Sequence, residues 1–186
     1  MSDKMKTFLK EALITVALAV VIFFAARGTI QTYEVFQTSM EPNFYEGQRV
    51  VVNKVSYWSW VGDPARGDVI IFSAPTGNDE DWIKRIIGLP GDTVEIVNGK
   101  VIVNGVVLNE PYVLVPGTAS MAEIKVPEGK YFFLGDNRNH SNDSRNGWLA
   151  ERDDIHGKAW LSTWPPDLWG VIPSYSLNNQ IVAAEN

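Results

Sequence analysis

The stretch Asp81-Trp82-Ile83-Lys84-Arg85-Ile86-Ile87-Gly88-Leu89-Pro90-Gly91-Asp92 sets the architecture of the chain. It reads as a short strand that stops at a Pro-Gly turn, where Pro presets φ at the first corner and Gly accepts φ > 0 at the second. Alternation along the strand puts Trp82, Lys84 and Ile86 on one face. A lysine between a tryptophan and an isoleucine is an odd structural choice. Burial there disfavours the charged ammonium, and its pKa falls from about 10.4, by as much as about 3–5 pH units if desolvation is complete. A neutral lysine is a base. The competing reading is that Lys84 lays its stem over the apolar face and keeps its ammonium in water.

Outward from this strand the pattern stays β. Arg49–Val55, Asp68–Ser73, Asp92–Val97, Glu123–Val126, Lys130–Leu134 and Lys158–Thr163 are short runs rich in β-branched and aromatic residues, bounded by turn residues. Asn98-Gly99 joins Val94–Val97 to Lys100–Val103 as a hairpin, and Asn104-Gly105 offers a second turn close behind. No amphipathic helix intervenes, so the chain reads as mainly β, an antiparallel sandwich or barrel. The tail from Pro165, with Pro166, Gly170 and Pro173, reads as irregular.

Toward the N-terminus every residue from Ala12 to Ala26 is apolar except Thr15. Fifteen helical residues span roughly 22 Å, and Phe8, Leu9 and Gly28 to Ile30 extend the block toward the ~30 Å of a hydrocarbon core. Lys10 and Arg27 reach the two interfaces. Lys4, Lys6 and Lys10 precede the block, which by the positive-inside rule leaves the N-terminus in the cytoplasm. The chain then divides into residues 1–30, a cytoplasmic end and one transmembrane anchor, and 31–186, a single extracytoplasmic β domain. A core helix would show a polar face, which this block lacks. A cleavable signal peptide is the other competitor, with Ala26-Arg27-Gly28 as a small-x-small site.

Composition narrows the function. The net charge of −6 argues against a nucleic-acid partner. The absence of cysteine removes disulfides and thiol chemistry. His140 and His156 stand in no ligand-like spacing, so neither a metal nor another cofactor is expected.

Three segments carry residues fit for catalysis. Thr38-Ser39-Met40-Glu41-Pro42 is turned or extended, because Pro42 keeps Glu41 out of the helical region. A serine nucleophile needs a base within hydrogen-bond reach. Both histidines sit in polar loop sequence, whereas a neutral Lys84 serves the same role in the Ser-Lys variants of the catalytic triad. Taken singly, a serine such as Ser39 is more often a turn residue than a nucleophile. The third segment, Gly135 to Gly147, is a dense polar loop after an apolar strand. Within it Asp143 and Arg145 are placed for an ion pair that fixes the loop, and Ser141 for a hydrogen bond to a neighbouring amine. A solvated turn cluster is the alternative. The N-x-S sequons at Asn139 and Asn142 fall inside this loop and are not read as glycosylation sites.

These segments, taken together, resemble the bacterial type I signal peptidases, or leader peptidases. Four motifs match in the family's order: Ser39–Pro42, Arg66–Phe72, Lys84–Asp92 and Gly135–Arg145. The resemblance implies that Ser39 is the nucleophile and Lys84 the general base, that Ser141 positions the lysine amine, and that Asp143 and Arg145 form a supporting pair. It implies a mostly β fold with a hydrophobic surface near the membrane, to which Phe44, Tyr57, Trp58 and Trp60 are candidates. The implied activity is removal of signal peptides from exported preproteins at small-x-small sites, at the bacterial plasma membrane, through an acyl-enzyme. Two positions depart from the pattern. Where many members carry a serine that helps bind the oxyanion, this chain has Gln37, whose side-chain NH₂ is the substitute donor; and the residue after Pro42, often threonine, is Asn43. A self-cleaving repressor-type Ser-Lys protease and a non-enzymatic, anchored peptide-binding β domain are the alternative readings.

Overall fold

The computed structural model describes residues 3–184; Met1 and Ser2 of the expected cytoplasmic end, and Glu185 and Asn186 of the expected β domain, lie outside the described residues. Helix α1, Asp3–Thr29, comprises 27 residues, or about 40 Å at 1.5 Å per residue. It is long and apolar enough to cross a membrane, and among the described residues none of its apolar stretch is packed inside the protein. Its polar Thr15 donates its hydroxyl to the carbonyl of Glu11 at 2.9 Å, which satisfies it within the helix.

The helix leads without a break into β1, Ile30–Glu34, whose Tyr33 lies opposite Val50 of β2, Arg49–Asn53. The remaining strands are β3 (Val69–Ser73), β4 (Asp81–Gly88), β5 (Thr93–Val97), β6 (Lys100–Val103), β7 (Val106–Val107), β8 (Met121–Lys125), β9 (Lys130–Leu134), β10 (Ala150–Glu151), β11 (Ile155–Trp164) and β12 (Gly170–Val171). They form two sheets. The larger runs β1-β2-β11-β3-β4-β9-β10 with β12 on β11, and the smaller runs β7-β6-β5-β8. All strand pairs are antiparallel. The architecture is an open, sandwich-like pair of sheets, and the barrel form of the sequence reading does not close.

Turn chemistry accounts for the smaller sheet. Asn98 and Gly99 (φ 49° and 80°) and Asn104 and Gly105 (φ 51° and 79°) each place two consecutive residues in the left-handed region, as tight hairpins require. The two sheets approach at Gly88, where a Cβ would stand 2.7 Å from Val94 Cγ2 and 3.0 Å from Phe132 Cβ. Here only a glycine lets the strands close on one another. Val94, Ile96, Val101 and Val103 then pack with Ile87, Phe132 and Leu134 of the larger sheet in one core.

Two further cores belong to the larger sheet. Met40 and Phe44, from the loop after β1, cover Val50, Val52, Val69, Ile71 and Ile83. Ile70, Phe72, Ile86 and Phe133 form the other with Tyr57 and Ile155, and Trp82 packs on it.

The tail is not irregular as the sequence suggested. β12 pairs Val171 with Leu161, and helix α2 (Asn178–Ala184) buries Ile181, with Leu177 just before it, in the core between the sheets. Their i, i+4 spacing supplies one apolar face, too brief to stand out as a period in sequence.

Candidate active site

β4 carries the lysine. Register sets Lys84 opposite Ile70 of β3, while β9 begins pairing only at Arg85, which lies opposite Leu134. Among the described residues, Asp81–Lys84 therefore has a strand on one side only. Alternation puts Lys84 on the face of Trp82 and Ile86, with its ammonium nitrogen 5.4 Å from the Trp82 ring centroid. The residue is 5% exposed. Burial pushes its pKa from 10.5 down to about 8, against the opposing pull of the Asp143 and Asp136 carboxylates.

Ser39 arrives from the opposite wall. After β1 the backbone passes through Gln37 at φ 67° and enters a turn in which the N–H groups of Asn43 and Phe44 both reach the carbonyl of Met40 at 3.0 Å. Met40, fully buried, pins the turn into the core beneath it. Ser39 Oγ then lies 2.7 Å from Lys84 Nζ, and the same nitrogen lies 3.1 Å from the carbonyl oxygen of Ile83. Both groups are nearly sealed from water, Ser39 at 5% exposure. An amine and a hydroxyl so placed lie within proton-transfer distance, so the pair is a candidate base and nucleophile.

The polar loop after β9 holds this arrangement from behind. Asn137 N–H donates to the carbonyl of Ser39 at 3.0 Å, and its side-chain amide donates to the carbonyl of Thr38 at 3.0 Å. Gly135 permits the approach: a Cβ there would stand 2.3 Å from Ser141 Oγ and 2.4 Å from the Ser39 carbonyl oxygen. Asp143, its side chain fully buried, takes the Arg145 guanidinium in two bonds of 2.8 and 2.9 Å and accepts the Gly135 N–H at 3.1 Å. Arg145 also donates to the carbonyl of Arg138 at 2.6 Å, closing the loop on itself. The Ser141 hydroxyl is buried and makes no hydrogen bond among the described residues, so the bond to the Lys84 amine that the resemblance implies is not formed: that amine is taken up by Ser39 and the Ile83 carbonyl.

A second, larger lock has no signature in the sequence. Arg85, next to the lysine, donates in two bonds of 2.8 and 2.7 Å to Asp136 and a third of 2.9 Å to the carbonyl of Gly67. Asn43 bridges the serine turn to the same carboxylate at 2.9 Å and to the carbonyl of Tyr112 at 2.7 Å. Asp136 and Asn43 are 93 residues apart, and no local pattern announces such a pair. Another motif pair, Arg66 with Asp92 at 2.9 Å, ties off the Pro-Gly turn after β4.

The histidines have other partners. His156 Nε2 lies 2.8 Å from Asp81 Oδ1, and His140 Nδ1 lies 3.4 Å from Asn137 Oδ1. No group of three or more potential metal ligands occurs among the described residues.

A cleft of about 730 Å³ opens in front of Ser39 and Lys84. One wall is the run from Thr32 to Gln37 and the other the run from Asp81 to Lys84, so the cleft lies along the unpaired edge of β4. Gln37, exposed, lines this cleft beside the serine.

The sequence pattern of the family described as signal peptidase, peptidase S26, matches residues 5–164. A probable signal peptidase I-2 from Synechocystis sp. is 36% identical over 165 residues, covering 85% of this chain and 74% of its own. Signal peptidase IB from Staphylococcus aureus is 35% identical over 180 residues, covering 87% of this chain and 92% of its own. The crystal structure of a signal peptidase I from Enterococcus faecalis aligns with a TM-score of 0.48 at 35% identity, covering 52% of this chain and 97% of that one.

Proposed function

Because the chain belongs to the signal peptidase family, peptidase S26, we propose that it is a serine endopeptidase that cuts signal peptides from exported preproteins with Ser39 as nucleophile and Lys84 as general base. The observation that carries this reading is the 2.7 Å separation of Ser39 Oγ and a buried Lys84 Nζ.

With the lysine neutral, one of its N–H groups donates to the Ile83 carbonyl and its lone pair takes the proton of Ser39 Oγ. The oxygen attacks the scissile carbonyl. The resulting oxyanion is held by the Ser39 N–H and by the Gln37 side-chain amide, a kind of donor whose loss elsewhere costs about 2.7–4 kcal/mol. Collapse of the tetrahedral species breaks the C–N bond. Lys84 passes its proton to the departing amine, which leaves as the new N-terminus of the mature protein. A water then gives its proton to Lys84 and attacks the ester; the C–Oγ bond breaks, Lys84 returns the proton to Ser39 Oγ, and the signal peptide leaves. The Asp143–Arg145 pair holds the loop against which this geometry is set.

The substrate adds as an extended strand along the free edge of Asp81–Lys84, its main chain supplying affinity and small side chains entering shallow pockets. α1 crosses the bilayer with its N-terminus in the cytoplasm, and residues 31–186 form the extracytoplasmic catalytic domain of a single-pass bacterial plasma-membrane protein. This placement holds the cleft at the membrane face.

A β-lactam-like serine acylator tests the nucleophile directly. Mass spectrometry is expected to find the adduct on the peptide containing Ser39 in the wild type and to find none in Ser39→Ala. An adduct of equal yield in the variant contradicts the assignment.

A further inference from the structure

Resting on the Ser39–Lys84 reading, we propose that Tyr175, in the tail segment beyond the family-matched residues, is a positioning residue that sets the dyad's geometry through Arg85. The matched region ends at residue 164, yet the tail beyond it is bound to the rear of the site rather than hanging from it. Leu177 and Ile181 are buried in the core between the sheets. Gln180 and Asn109 exchange two hydrogen bonds of 2.7 and 3.0 Å, and Arg66 donates to Asn178 at 3.2 Å. Gly67 is a contact point: a Cβ there would stand 2.5 Å from the Tyr175 carbonyl oxygen.

These anchors deliver the Tyr175 ring to the Arg85 guanidinium, whose carbon lies 5.2 Å from the Tyr175 centroid and 4.1 Å from that of Tyr112. The two rings lean on one another at 5.1 Å. Arg85 is 1% exposed. Its three hydrogen bonds hold Asp136 and Gly67, and the aromatic rings supply cover and a cation–π attraction over a buried charge. Both reacting residues are tied closely to this lock. Lys84 precedes Arg85, and Asp136 precedes Asn137, whose N–H holds the Ser39 carbonyl. Without the Tyr175 ring, water reaches Arg85 and the lock between strand and loop loosens. Misplacement on the ångström scale costs a reaction up to about 10²-fold. No described tail residue lines the substrate cleft, so binding is expected to be untouched.

The experiment compares wild type, Tyr175→Ala, Tyr175→Phe and Val101→Ala in the full-length chain in detergent, with a peptide bearing an Ala-x-Ala site, at a temperature where each is folded. Tyr175→Ala is expected to lower kcat about fivefold to tenfold, the scale of a desolvated cation–π contact, with KM within about twofold. Tyr175→Phe, which keeps the ring, is expected to restore kcat. Val101→Ala, which removes buried apolar packing on β6 of the smaller sheet, is expected to lower Tm while keeping kcat. Wild-type kcat in Tyr175→Ala overturns the inference, as does an equal loss in Val101→Ala. Ser39→Ala run alongside separates this outcome from failure of the dyad itself, which would show as cleavage surviving in that variant.

Discussion

Lys84 is pulled two ways. The Asp143 and Asp136 carboxylates favour its ammonium, and so does the face of Trp82 at 5.4 Å. Burial opposes them and prevails, leaving the pKa at about 8 instead of 10.5. This fixes the sign of the pH dependence. Below about pH 8 the lysine is charged and has no lone pair to take the serine proton; above it, the amine is free to act. The acid limb of kcat/KM is therefore expected to bend near pH 8 and to fall about tenfold per pH unit below it. Trp82→Ala removes that attraction but also admits water to the ammonium, and because burial is the larger effect the limb is expected to move to higher pH. A limb at an ordinary histidine pKa that disappears in His140→Ala contradicts the assignment.

At the scale of the element, the site is the meeting of a strand, a turn and a loop, and Gly135 is where they come closest. A methyl group at this position overlaps both the Ser141 hydroxyl and the Ser39 carbonyl, the latter a backbone atom that cannot swing away. Gly135→Ala is expected to lower kcat by about 10²-fold or more, with the far-ultraviolet circular dichroism spectrum unchanged. Retained activity would mean that the loop does not hold the serine. Much of this is legible in sequence. The Pro-Gly turn, the Asn-Gly hairpins and the apolar alternation mark most strands, and the Trp82-x-Lys84-x-Ile86 face marks the lysine. β1 escapes because Ile30–Glu34 continues directly from the apolar helix and carries no alternation of its own: four of its five residues are exposed. Asp136, Asn43 and Arg85 escape for a different reason. Each reads as an ordinary turn or strand residue, and only the fold brings them into one buried network.

For the whole molecule, the division of labour is between an exposed apolar helix and a β unit with its own cores. No described residue of α1 belongs to any of the three buried clusters. Deleting residues before Gly28 is expected to leave Tm within a few degrees of the full-length value and to move the protein from the membrane fraction to the soluble one. Cleavage of a short Ala-x-Ala peptide is expected to persist. Unfolding on deletion would show that α1 belongs to the catalytic unit rather than to a separate anchor. The tail makes the opposite case, since α2 lies outside the family-matched residues yet contributes Ile181 to the central core.

In the proposed mechanism Ser39 and Lys84 act as one unit on preproteins. The deciding measurement is cleavage of a preprotein with an Ala-x-Ala site by wild type, Ser39→Ala and Lys84→Ala, each shown folded by circular dichroism. Cleavage by the wild type alone, with both variants reduced to background, is the predicted result. Activity in both variants would contradict the dyad altogether, and activity in Lys84→Ala alone would leave the nucleophile standing while giving its proton to another base.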